Sequence, residues 1–196
     1  MKKILFVAVA NCFAIIIFAQ QTSLNDFNKK RQSISKKGLT ILSSYAAANI
    51  VYGSIAASQT TGSNKYFHEM NALWNGITLS ITGLGLLTAK KEGGFTYSTS
   101  LKKQGRIEQL FLFNAGLDVA YIAGGAYLKE KSKSNIKNPA KLKGFGESIM
   151  LQGGVLFLFD AVMFALHNKH GRLLNKMVEK VQLAGTENGL GLLVKL

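Results

Sequence analysis

The sequence predicts an all-α fold: a four-helix membrane bundle made of two tandem helical hairpins, with a short C-terminal β-hairpin. Three observations predict it. First, charge divides the 196-residue chain. Gly38 to Asn64 and Met70 to Ala89 carry no charge, Gln109 to Leu128 carries only Asp118, and Ser148 to Leu166 carries only Asp160. Runs of this kind match the roughly 20 residues that a membrane-crossing helix requires. Second, the chain repeats itself: Lys65, Phe67, Glu69, Leu73 and Gly76 recur as Lys143, Phe145, Glu147, Leu151 and Gly154 at one offset of 78 residues. A fainter echo sets Asn49-Ile50-Val51-Tyr52 against Asp118-Val119-Ala120-Tyr121 at an offset of 69. Such internal similarity is the signature of a duplicated supersecondary unit, here a hairpin of two helices. Third, the runs show Ser, Thr, Gly and Ala where a soluble amphipathic helix would place Lys, Glu and Arg.

Residues 1–19 are expected to be a signal peptide, with 20–196 as a single domain. Lys2 and Lys3 form a basic start, Ile4 to Phe18 is almost wholly apolar, and polarity returns at Gln20-Gln21-Thr22-Ser23. Cleavage is expected after Ala19. Cys12, the only cysteine, lies inside this segment behind Asn11, which lacks the small side chain that a lipidation site needs. The exported chain then has no thiol, which excludes a disulfide framework and a cysteine nucleophile.

The four helices are expected near 38–60, 66–90, 106–129 and 146–170, with Pro139 in the loop before the fourth. Gly116, Ala120 and Gly124 form a small-xxx-small ridge on the third helix. Lipid supplies no hydrophobic drive for helices to associate, so close approach through small residues is expected to hold the bundle. Glu69 and Glu147 are expected near helix starts, where the macrodipole favours a carboxylate. Tyr66, Trp74 and Tyr127 fit aromatic belts at the membrane interface. Past the fourth helix, Leu173, Leu174 and Met177 continue an amphipathic face, and Asn188-Gly189 between two apolar runs signals a hairpin turn.

Each helix carries polar residues at helical spacing. Tyr45, Asn49 and Tyr52 share a face, as do Asn71, Asn75, Thr78 and Thr82, then Asn114, Asp118 and Tyr121, and finally Asp160 and His167. Ionisable groups inside a membrane segment are costly and point to an ion, proton or substrate pathway. The competing reading is that these groups simply hydrogen-bond the helices together. The candidate intramembrane polar site is therefore Asn49, Asn114, Asp118, Tyr121 and Asp160, expected to point inward, with Phe157, Phe159 and Ile81 outward.

No catalytic residue, metal site or cofactor is expected. His68, His167 and His170 fall at or past the ends of the predicted helices, which suits neither a haem pair nor a metal. Gly83-Leu84-Gly85 lies in an apolar run and reads as packing rather than a nucleotide loop. The net charge of +14 sits in loops, without a nucleic-acid motif. Anionic lipid headgroups are the expected partner, since each Lys or Arg near such a surface contributes about 1 kcal/mol.

With its Phe18-Ala19-Gln20-Gln21 signal ending and its two KxFxE-type hairpins, the chain resembles small uncharacterised exported membrane proteins of bacteroidete bacteria. The resemblance implies a location in the cell envelope, as a multi-pass inner-membrane protein after signal-directed export, and no activity. Two functions remain: a non-catalytic structural or interaction subunit with a membrane-protein partner, or a small proton-coupled carrier or channel-like module using Asp118 and Asp160.

Overall fold

A computed structural model describes side chains for residues 23–89 and 94–177. For 2–22, 178–179, 181–186 and 189–194 it gives backbone secondary structure alone, and the remaining residues lie outside it. Four helices run in order: α1 (Lys2–Gln59), α2 (Gly62–Thr88), α3 (Tyr97–Lys131) and α4 (Pro139–Glu179). Strands β1 (Val181–Thr186) and β2 (Gly189–Val194) then pair antiparallel, Val181 opposite Val194 and Thr186 opposite Gly189. The predicted turn residues Glu187 and Asn188, and the side chains of the predicted signal 1–19 with Cys12, lie outside the described residues.

All four helices are longer than expected, α2 only slightly. Polar residues end an apolar run but do not end a helix, and no proline interrupts 2–59 or 97–131. Real boundaries fall where the backbone is capped. The Thr96 hydroxyl accepts from the Thr99 amide at 3.3 Å, which caps the start of α3. Pro139 opens α4 instead of lying in the loop before it, because the first helical residue needs no amide hydrogen. Upstream, Asn135 Oδ1 accepts from the amides of Lys137 (3.0 Å) and Asn138 (2.8 Å), an Asx turn that delivers the chain to the helix. Gly62 opens α2 at φ 62°, a left-handed conformation that favours glycine.

These longer helices overturn two expectations. Glu69 and Glu147 lie beyond the first turns of α2 and α4, so they do not cap them. Glu69 pairs with Lys65 (3.8 Å) and Glu147 with Lys129 (3.1 Å). His167 and His170 lie within α4 and are buried rather than at its end.

Among the described residues, three helices are long and apolar enough to cross a membrane: α1 over Ser23–Gln59, α3 over Tyr97–Lys131 and α4 over Pro139–Met177. Four had been expected. α2 falls short because Asn71, Asn75 and several hydroxyls and glycines dilute its apolar residues.

The chain clusters into two compact units. One comprises Met1–Ile34, Lys90–Ile107 and Leu166–Leu196. Its interior is polar: Asn28 Nδ2 donates to Ser100 Oγ (2.9 Å), Arg31 to the Ser100 carbonyl (3.1 Å), and Gln104 to the His167 carbonyl (2.7 Å). His170 stacks on Phe27 with centroids 4.2 Å apart, and its Nε2 lies 3.0 Å from the Phe27 carbonyl. A carbonyl only accepts, so that nitrogen carries the hydrogen.

The other unit, Ser35–Ala89 with Glu108–Ala165, holds both hairpins. It is apolar outside and polar inside. Ile41, Ile81, Leu84, Phe113 and Leu158 are exposed, whereas Asn71, Asn75, Asp118, Ser148, Gln152 and Asp160 are buried. That inversion suits helices whose surroundings are lipid and whose polar groups must find partners within the bundle. Phe159 departs from expectation: it is only partly exposed and packs edge-on against Phe111 (6.4 Å).

Backbone contact runs through glycines, though not through the expected ridge. Gly116 and Gly124 have open space where a side chain would go. Gly125, one residue on, packs against the Gly146 carbonyl and the Met150 amide. Gly53 packs in the same way against the His68 carbonyl and the Ala72 amide. Positions 68 and 146, like 72 and 150, stand 78 apart, but the two glycines stand 72 apart and not 69. The hairpins also touch where the repeated segments lie: Tyr66 meets Phe145 edge-on (6.1 Å), and Gly144 seats on the backbone of Ser63 and Phe67.

Candidate functional site

Asn114, Asp118 and Tyr121 stand at spacings of four and three on α3, so their side chains project from one face. Gly153 of α4 seats this face: a Cβ there would lie 2.9 Å from the Asp118 carbonyl oxygen. With the two backbones this close, Asp160 reaches across from α4. Its carboxyl lies beside that of Asp118, and Asn114 borders the same space. Asp118 is 2% exposed and Asp160 6%. Oδ2 of Asp118 has no hydrogen-bond partner, and neither acid forms an ion pair among the described residues.

The pair opens into a cavity of about 310 Å³ between α2 and α3. Leu39 and Leu42 of α1 and Leu156 and Phe159 of α4 form apolar walls. Trp74 of α2 stands edge-on to Tyr121 (4.9 Å) at the rim, and Thr78 adds a hydroxyl. Tyr121 is thus partly exposed and not fully inward, and Trp74 lines the cavity rather than serving only as an interface anchor.

Four of the five expected site residues meet at this cavity. Asn49 does not line it. It belongs to an amide network: Asn71 donates to Asn49 Oδ1 (3.1 Å), Asn75 donates to the Asn71 carbonyl (2.8 Å), and Gln152 donates to Asn71 Oδ1. Tyr45 closes the network by donating to Gln152 Oε1 (3.3 Å). Gln152 escaped the sequence reading, although a single amide within the apolar run 148–166 is a usable signal. Trp74 escaped it too, because a tryptophan near a helix start reads equally well as an anchor.

Chemically, the cavity offers two adjacent carboxyls, an amide and a phenol within apolar walls. Nothing at the acids resembles a nucleophile with its base, and among the described residues no three His, Cys, Asp or Glu gather as metal ligands. No curated protein and no solved structure matches the chain. One family model does match, over residues 41–161, a span that holds all the cavity-lining residues except Leu39. The chain belongs to that family, the family of unknown function DUF6992.

Proposed function

We propose that this is a non-catalytic integral membrane protein of the cell envelope, whose bundle works as a small proton-coupled carrier or channel-like module through Asp118 and Asp160. One observation carries the reading: two carboxyls from different helices adjoin a cavity, without a countercation among the described residues, in a unit that is apolar outside. Ionisable groups are retained at such depth when they exchange a proton or an ion. A pair can do so without changing the charge inside the bundle, because one cation entering replaces one proton leaving. Export through the segment 1–19 to an inner-membrane location, and contact of the Lys-rich loops with anionic headgroups, complete the reading.

A second reading, a structural or interaction subunit, draws support from the amide network of Asn49, Asn71, Asn75 and Gln152, which ties α1, α2 and α4 together without an acid. Infrared difference spectra separate the two. Proton exchange predicts a carboxyl C=O band that appears and disappears as the pH is varied and is lost in both Asp118→Asn and Asp160→Asn. A band absent from the wild type, or unchanged in both variants, leaves the structural role standing.

A further inference from the structure

We propose that the cavity binds a lipophilic organic ammonium, its nitrogen held by Asp118 and Asp160 and its apolar body lying between α2 and α3. The inference builds on the proton-exchange reading for its charge balance.

Four features select this ligand class. Asp118 and Asp160 both line the cavity, and among the described residues Asp118 Oδ2 is buried without a hydrogen-bond partner, so this carboxyl is only partly satisfied by the bundle. Leaving such a group unpaired is expensive in an apolar setting. An ammonium supplies both the hydrogen bond and the opposite charge, whereas an anion would be repelled and a neutral ligand would leave the acids unmatched.

The walls exclude a bare metal ion as the natural occupant. Hard cations such as calcium take six or more oxygen ligands, but the cavity is lined mainly by Leu, Ile and Phe. Those walls suit hydrocarbon, and the volume of about 310 Å³ is that of a small organic ligand. Trp74 and Tyr121 add aromatic rings, which attract ammonium groups.

The mouth indicates the route. Ile77 and Ile81 of α2 and Leu110 and Leu117 of α3 line the cavity and are at the same time exposed on the outer surface. The ligand therefore passes between two apolar rims to reach two acids, which is the path of a molecule already dissolved in lipid. On binding, the ammonium meets one carboxylate as the pair releases one proton, and no net charge enters the bundle.

Trp74 is the only tryptophan, so its fluorescence reports on this cavity alone. The full chain in lipid nanodiscs is titrated with phenethylamine and, separately, with phenethyl alcohol, the same shape without charge. Proton release into weak buffer is followed in the same samples. The amine is expected to change Trp74 emission saturably, to bind at least roughly tenfold more tightly than the alcohol, and to release one proton per molecule. Asp118→Asn and Asp160→Asn should abolish that preference. Equal binding of amine and alcohol overturns the inference, and this wild-type comparison holds even if the variants fail to fold. Amine binding without proton release keeps the ligand class and overturns the exchange reading. A titrating carboxyl band with no amine binding does the reverse.

Discussion

A Cβ placed on Gly125 would lie 2.6 Å from the carbonyl oxygen of Gly146, and one placed on Gly146 would lie 2.6 Å from that of Gly125. Neither glycine can accept a side chain without parting α3 from α4. Gly125→Leu should therefore destabilise the protein by about 1–3 kcal/mol or more. Gly124→Leu, one residue away in open space, should change stability little. Denaturant unfolding in detergent micelles distinguishes them, and equal effects would show that the hairpin does not close here.

The matching seat of Gly53 on His68 and Ala72 extends the test to the other hairpin. If the hairpins are duplicates in the register these contacts define, Gly53→Leu should destabilise as Gly125→Leu does. A neutral Gly53→Leu would argue against the duplication.

Asn71 is the hub of the amide network, since Gln152, Asn75 and Asn49 all bond to it. Asn71→Leu leaves buried amides without partners, at a cost of about 1–3 kcal/mol. In a double-mutant cycle with Gln152→Leu the two losses should not add, because each removes the same bond. Additivity would mean that the two residues act independently.

Membrane insertion is open to labelling. With Cys12 replaced by Ala, Phe113→Cys and Leu158→Cys should resist a membrane-impermeant maleimide in vesicles of mixed orientation, since both side chains face outward from apolar helices. Lys133→Cys, between α3 and α4, should label readily. Rapid labelling at Phe113 and Leu158 would place those faces in water.

In the other unit, Ser100 accepts from Asn28 through its hydroxyl and from Arg31 through its carbonyl. Ser100→Val keeps the carbonyl and removes the hydroxyl, leaving the fully buried Asn28 amide short of one acceptor. A loss of about 1–2 kcal/mol is expected in the same unfolding assay. No loss would mean that water replaces the hydroxyl.

The sequence by itself determined four helices, the polar stripe on each, and the burial of Asp118 and Asp160. These follow from 3.6-residue periodicity and from the cost of an acid facing lipid, which are properties of each helix alone. It also shows five residue identities recurring at an offset of 78. Only the tertiary structure decided which stripes meet. Periodicity fixes the polar side of a helix but not its rotation against a neighbour, so it grouped Asn49 with Asp118, whereas packing joins Asn49 to Asn71 and Asp118 to Asp160. The contact glycine was likewise missed by one position, Gly124 for Gly125, because adjacent residues point about 100° apart on a helix. Helix ends were misplaced because charge marks where an apolar run stops, whereas caps such as Thr96 and the Asn135 turn mark where a helix begins. The cavity belongs wholly to the tertiary structure: it is a space left between α2 and α3, and no residue encodes it alone.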